Sequence, residues 1–233
     1  MTSSRVAACE QIGPYVQVRL EPTFAAGEPG QFHMLRALAH DSFLARPLSA
    51  VASDASGVTF LCQPRGPALA ALAQVGAEVE VLGPFGRGFD AASPGPAPLL
   101  VGGGFGVALL APLAGSLPRA RLIAAFRDAD AARAAELVPC AGREIVLPPA
   151  NVLDLLAARL ASSSSVFAAG PDGLVRAVAA ACGAAEVPCQ LALEAPMACG
   201  YGACYGCAVR LGGELVRLCV EGPVVGGERV AAA

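Results

Sequence analysis

The sequence has no tryptophan and only two histidines, and charged side chains make up just 15% of its 233 residues. It has no block rich in Lys or Arg, and its formal net charge is −3; both argue against a nucleic-acid partner. No run approaches the ~20 uninterrupted apolar residues that a membrane-spanning helix needs. The most apolar stretches, such as Pro98–Ala114, are broken by Gly102, Gly103, Gly104, Gly106 and Pro112, so no membrane span is expected. The first residues, Met1-Thr-Ser-Ser-Arg-Val, lack the apolar centre of a signal peptide, and a cytoplasmic protein is expected. His33 and His40 are too few for a metal site. No Ser–His–Asp set or carboxylate pair stands out, so hydrolysis has no support. There are no internal repeats.

Apolar residues amount to 55%, a figure inflated by alanine, and they provide ample material for one large or two small domains. Nine cysteines without a secretion signal point to a reducing compartment, where thiols ligate metal or lie buried. So low a charged fraction also suggests that part of the surface is covered by a partner.

Four of the cysteines, Cys199, Cys204, Cys207 and Cys219, lie near the C-terminus, three of them in the run Met197-Ala-Cys-Gly-Tyr-Gly-Ala-Cys-Tyr-Gly-Cys. The first three have the C-x4-C-x2-C spacing of plant-type [2Fe–2S] sites, whose fourth ligand follows later in the chain. The interleaved glycines suit such a site. Thiolates must converge while backbone N–H groups face the sulfides, and bulky side chains would prevent that approach. A zinc site is the main rival, although structural zinc normally uses two separated C-x2-C or C/H pairs and only Cys204 and Cys207 form one. The expectation is an electron carrier. Cys9, Cys62, Cys140, Cys182 and Cys189 are scattered and read as small core residues.

The chain divides into three segments. Up to about Phe89, alternating runs at Tyr15–Leu20, Val58–Cys62 and Glu78–Leu82 are punctuated by Pro and Gly, which predicts a small antiparallel barrel or sandwich with one helix over Ala68–Gln74. Ala91–Pro98 has linker composition. Beyond it, strands expected at Leu99–Val101, Arg121–Phe126, Glu144–Leu147, Val166–Ala169 and Gln190–Leu193 alternate with helices at Val107–Ala114, Asp130–Leu137, Val152–Leu160 and Asp172–Ala181. That succession predicts a parallel sheet. The expected class is therefore a multidomain α+β protein. Its parts are an antiparallel β-barrel over 1–92, an α/β nucleotide domain over 97–194 and a [2Fe–2S] module over 195–233. The last is too small to hold together without its cluster.

Gly102-Gly103-Gly104-Phe105-Gly106 follows a predicted strand and opens a helix, a context that lets a pyrophosphate approach a helix N-terminus. Its spacing is not G-x-G-x-x-G, so an ordinary strand–helix turn is an equal alternative. Arg127-Asp128, after the second strand, is compatible with either NAD or NADP. Arg46-Pro47-Leu48-Ser49 combines an arginine suited to phosphate with a hydroxyl for a polar ring edge; taken alone, it reads better as a strand start after a loop. Gly170-Pro171 could border a nicotinamide or be a plain βα loop.

In sequence order, Arg46-Pro-Leu-Ser, Gly83-Pro-Phe-Gly-Arg-Gly-Phe, Gly102-Gly-Gly-Phe-Gly-Val, Ala169-Gly-Pro-Asp and Glu194 with the cysteine run resemble the electron-transfer subunits of class 1B dihydroorotate dehydrogenases, a family of ferredoxin-reductase-like flavoproteins. The resemblance spans nearly the whole chain. It implies FAD in the barrel, held by Arg46, Pro47, Leu48 and Ser49, with further contacts from Leu61, Cys62 and Gln63 and from Gly66 and Pro67. It also implies NAD(H) at Gly102, Gly103, Gly104 and Gly106, and a [2Fe–2S] cluster on the four cysteines. The implied partner is an FMN-containing dihydroorotate dehydrogenase catalytic subunit in a heterotetramer of pyrimidine biosynthesis. A related reductase module serving a hydrogenase, a sulfite reductase or an NADPH–ferredoxin system shares these motifs. A zinc-stabilised binding module without redox activity is the alternative of a different class. The chain departs from the family pattern at Pro67, at Ala169 and in the short gap between Cys207 and Cys219.

Overall fold

A computed structural model describes residues 2–39 and 43–231, so His40 lies outside the described residues. Seven strands come first: β1 (Thr2–Ile12), β2 (Tyr15–Glu21), β3 (Phe32–Ala37), β4 (Arg46–Leu48), β5 (Ala50–Ser53), β6 (Val58–Cys62) and β7 (Glu78–Phe85), with helix α1 (Pro67–Leu72) between the last two. They form one antiparallel sheet in the order β4-β3-β7-β1-β2-β6-β5. Alternation in β2 sends Val16, Val18 and Leu20 into a core with Val58, Phe60, Val79 and Val81. β1 shows little apolar alternation and is absent from the sequence expectations; its place follows from the Gly13-Pro14 turn, which pairs Ile12 with Tyr15. The two edge strands, β4 and β5, are separated in sequence only by Ser49. The sheet therefore curls until its edges adjoin, and the barrel closes through the chain itself.

The second sheet takes β8 (Pro98–Gly103), β9 (Arg121–Ala125), β10 (Gly142–Val146), β11 (Ser165–Ala169) and β12 (Cys189–Ala192), all parallel, in the order β10-β9-β8-β11-β12. β8 and β11 are buried along their whole length, as continuous apolar runs in a sheet covered on both faces should be. The connections are α2 (Leu110–Ser116), α3 (Ala129–Ala132), α4 (Val152–Leu160) and α5 (Asp172–Ala184). Two expected helices are only partly α. Gly104–Leu109 is a 3-10 turn with no capping side chain ahead of α2. Arg133–Leu137 tightens to 3-10 because Pro139 pushes Val138 out of the helical region.

A hairpin of β13 (Ala208–Leu211) and β14 (Glu214–Arg217) follows, then α6 (Leu218–Glu221), β15 (Val224–Gly226) and α7 (Gly227–Ala231). β15 joins the second sheet antiparallel to β12. None of the helices described is long and apolar enough to cross a membrane.

Between β8 and β11 the order of the strands reverses, and the loops leaving them pack backbone to backbone. A Cβ at Gly106 would fall 2.5 Å from the Cα and N of Gly170, and one at Gly103 would fall 2.5 Å from Leu174 Cδ2. At Gly106, which faces backbone, only hydrogen fits. Gly106→Ala is expected to cost about 1–3 kcal/mol through overpacking, lowering Tm by roughly 3–10 °C. Gly173→Ala, where a Cβ meets nothing within 4 Å, is expected to leave Tm unchanged or raise it. Thermal unfolding of the two variants side by side checks both.

Candidate functional site

The crevice outside the carboxyl ends of β8 and β11 is where open α/β sheets accept ligands. Here it is a cleft of about 420 Å³, walled on one side by Arg46, Pro47, Leu48 and Gln63 of the barrel and on the other by Gly103 and Gly106. A second cavity of about 210 Å³ shares Pro47, Leu48, Phe105 and Glu194 with it and continues past Ser49 to Met197. The two short motifs that sequence left ambiguous thus face one another. Among the described residues the Arg46 guanidinium makes one hydrogen bond, a long one of 3.5 Å to the Leu44 carbonyl.

Other expected contacts lie elsewhere. Leu61 and Cys62 are fully buried and turn their side chains into apolar cores, so only their main chain could reach a ligand. Gly66 and Pro67 begin α1, outside both cavities. Gly102 packs against Val107, and Gly104 supplies the turn at φ +50°. After β9, the Asp128 carboxylate caps α3 by accepting the Ala131 N–H (2.8 Å) and pairs with Arg127 (2.9 Å). These bonds, the Ala131 N–H foremost, hold its pKa below the usual carboxylate range.

Met197 leads from the second cavity into the cysteine loop. Gly200 and Gly202 adopt φ +80° and +91°, which lets the loop double back, and a Cβ at Gly200 would fall 2.5 Å from Met34 Cγ of the barrel. Cys207 and Cys219 are each 2% exposed, Cys199 is half-buried and Cys204 is exposed. The sulfurs sit among backbone donors. Gly206 N–H points at Cys204 Sγ and Cys219 N–H at Cys207 Sγ, both at 3.4 Å. N–H groups of Cys204, Tyr201 and Ala203 face Cys199, and that of Gly202 faces Cys219. Burial pushes the Cys199 thiol up, but these donors and the Cys204 thiol outweigh it and bring its pKa to about 6. Cys219 is pushed up to about 12 by burial and by its hydrogen bond with Cys207. Among the described residues no three His, Cys, Asp or Glu side chains stand in the arrangement of a single metal ion. Four free thiols, with N–H groups aimed at sulfur, fit the donor set of an iron–sulfur cluster. Tyr201, Tyr205 and Val220 are exposed around Cys204, with the Arg217 guanidinium 5.2 Å from the centre of the Tyr205 ring.

Residues 194–231 match a family model, the iron–sulfur cluster binding domain of dihydroorotate dehydrogenase B. The chain is 32% identical over 215 residues to the dihydroorotate dehydrogenase B (NAD(+)) electron transfer subunit of Caldanaerobacter subterraneus subsp. tengcongensis, covering 87% of this chain and 86% of that one. With the subunit of the same description from Bacillus caldolyticus the identity is 34% over 218 residues, 84% of each chain. The chain belongs to the family of dihydroorotate dehydrogenase B electron transfer subunits. Among solved structures, the NADH-dependent reduced ferredoxin–NADP oxidoreductase superposes with TM-score 0.83 at 20% identity, over 98% of this chain and 90% of that chain. The ferredoxin reductase of carbazole 1,9a-dioxygenase superposes with TM-score 0.66 at 20% identity, over 79% and 65%. At such identities the likeness is one of fold, and the fold is ferredoxin-reductase-like.

The cleft also contains residues outside the expected site set. Arg65, Leu69, Phe105 and Pro171 line it. Phe105 and Pro171 lay inside or beside the glycine turns that drew attention, whereas Arg65 and Leu69 gave no signal. Glu194 lines both cavities, and the cleft walls strip enough water from it to raise its pKa above the usual carboxylate range. The folded protein therefore holds that proton to a higher pH than the unfolded chain does. Stability should fall as pH rises from the unfolded carboxyl's pKa through the folded one, and level off above it. Glu194→Gln is expected to flatten that part of the profile, as read from denaturant midpoints measured against pH.

Proposed function

We propose that this chain is the electron-transfer subunit of a two-component dihydroorotate dehydrogenase. It would link oxidation of dihydroorotate on a separate FMN-containing catalytic subunit to reduction of NAD+, in a cytoplasmic heterotetramer. The observation that supports this reading is the adjacency of the two cavities, which share Pro47, Leu48, Phe105 and Glu194; one is lined by Gly103 and Arg46, the other by Ser49 and Met197, two residues from Cys199.

Each part of the chain has a physical task. Arg46 binds phosphate oxygens through charge-assisted hydrogen bonds, Pro47 and Leu48 form an apolar wall, and Ser49 offers a hydroxyl to a polar ring edge. Together these residues hold FAD, with Gln63 beside them and main-chain support from Leu61, Cys62, Gly66 and Pro67. Gly102, Gly103, Gly104 and Gly106 let the turn after β8 pack closely on its neighbours, and its main chain, at Gly103 and Gly106 on the wall of the cleft, receives the NAD(H) pyrophosphate. Cys199, Cys204, Cys207 and Cys219 ligate a [2Fe–2S] cluster, their N–H neighbours offsetting negative charge on sulfur. When bound, the flavin exchanges electrons in pairs with the nicotinamide and singly with the cluster, so the protein supplies position and potential rather than an acid or base. The exposed Tyr201, Tyr205 and Val220 surround Cys204 and suit the face that meets the catalytic subunit.

Anaerobically purified protein is expected to contain flavin and about two irons per chain, and to bleach on addition of NADH. Cys204→Ser should lose iron and dihydroorotate-dependent NAD+ reduction in the assembled complex while keeping flavin. Arg46→Ala should weaken flavin retention about 10–100-fold, measured by flavin release on dilution. A colourless protein containing zinc would overturn the reading.

A further inference from the structure

Two of the cysteines that sequence assigned to the core stand together, well away from the cysteine loop. Cys182 lies in the last turns of α5 and is fully buried; Cys189 opens β12 and is half-buried. The two thiols interact where α5 meets β12, and Cys189 Sγ lies against Gly227 at the start of α7, where a Cβ would collide with it. The Val187 N–H bonds the Cys182 carbonyl at 2.9 Å, so the short loop Ala185–Pro188 is folded back on the end of α5. Both thiols line a cavity of about 270 Å³ that also has Glu186, Gly227 and Glu228 on its walls. That is ample for a small oxidant, since a water molecule occupies about 30 Å³.

We propose that Cys182 and Cys189 form a reversible disulfide, a redox modification site independent of the cluster cysteines, with hydrogen peroxide as oxidant. Cys189 is the attacking sulfur. It is the more accessible of the two, and the Cys182 thiol, with the Gly227 N–H, lowers its pKa against the opposing effects of burial and the Glu228 carboxylate. The Cys189 thiolate attacks one peroxide oxygen; the O–O bond breaks, sulfur is oxidised to the sulfenic acid and hydroxide leaves, taking up the proton that Cys189 gave up. The Cys182 sulfur then attacks the sulfenic sulfur. An S–S bond forms, the S–O bond breaks, and the departing hydroxyl leaves as water with the Cys182 proton. Overall, two thiols and one peroxide become one disulfide and two waters, and a dithiol reductant reverses the change. Cys9 and Cys62 lack this arrangement: burial raises both, Cys62 to about 11. The bridge would tie α5 to β12, the strand that runs on to Glu194 and the cleft.

The test treats the whole protein, with its cofactors, with hydrogen peroxide, caps the remaining free thiols by alkylation and digests it with a Glu-specific protease. Cleavage at Glu186 separates the two cysteines into different peptides. The expected result is a cross-linked pair carrying Cys182 and Cys189, released by dithiothreitol, with flavin and iron content unchanged. The cross-link should be absent in Cys182→Ser and Cys189→Ser but present in Cys140→Ser. Oxidation should also raise Tm by roughly 5 °C in the native protein and not in Cys182→Ser. Recovery of Cys182 as the alkylated thiol while Cys189 is unmodified or stops at the sulfinic acid would overturn the proposal. So would a stoichiometric zinc ion that shields both thiols from alkylation.

Discussion

The cysteine module has little core of its own, and the architecture depends on the apolar seam that supplies one. Cys207, Leu211, Val216, Leu218 and Cys219 are buried in the same cluster as Phe32 and Met34 of the barrel and Leu99, Val101 and Leu191 of the parallel sheet. Hydrogen bonds lock the seam along its length: Leu193 N–H to the Pro223 carbonyl at 3.0 Å, and Val224 N–H to the Arg87 carbonyl at 3.3 Å. Phe89 packs edge-on to Phe167, with ring centres 5.9 Å apart, and joins the barrel to the sheet from the other side. A short segment that buries its apolar residues in two neighbours at once is fixed relative to both. The two cavities, one reaching the glycine turn and the other Met197, therefore lie side by side with four lining residues in common.

Within that frame the glycines at the strand ends set how closely the walls of the cleft approach. Gly103, Gly106 and Gly170 touch through backbone atoms, which places the turn after β8 directly against the turn after β11. The electrostatics are equally economical. Around the cysteine loop the polarising groups are main-chain N–H dipoles, with Arg217 held by Glu221 and the Tyr205 ring. Fixed dipoles keep their orientation as charge at the sulfurs changes, so little reorganisation accompanies it.

Much of this was legible in the sequence, and for physical reasons. A period of two in Tyr15–Leu20 and continuous apolar runs at Leu99–Val101 and Val166–Ala169 report burial on one or both faces of a strand. The cysteine spacing reports a ligand set because chemistry constrains it more tightly than packing does. What could not be read were elements whose identity is imposed by partners. β1 is held by pairing to β2 and β7 despite its mixed pattern, and β15 becomes a strand only by adding to β12. Arg65 and Leu69 enter the cleft because α1 faces it, a fact of tertiary placement with no local signature. The proximity of Cys182 and Cys189 likewise arises from the packing of α5 on β12.

The barrel's closure carries a consequence for the cleft. β4 and β5 meet at Ser49, within the same four residues, Arg46–Ser49, that line the cavities. Each of these strands has a ladder partner on one side only, β4 on β3 and β5 on β6. The seam of the barrel is thus also a wall of the cleft. A substitution among these four residues acts on both at once, and the fit of the barrel's last two strands and the shape of the cavity change together.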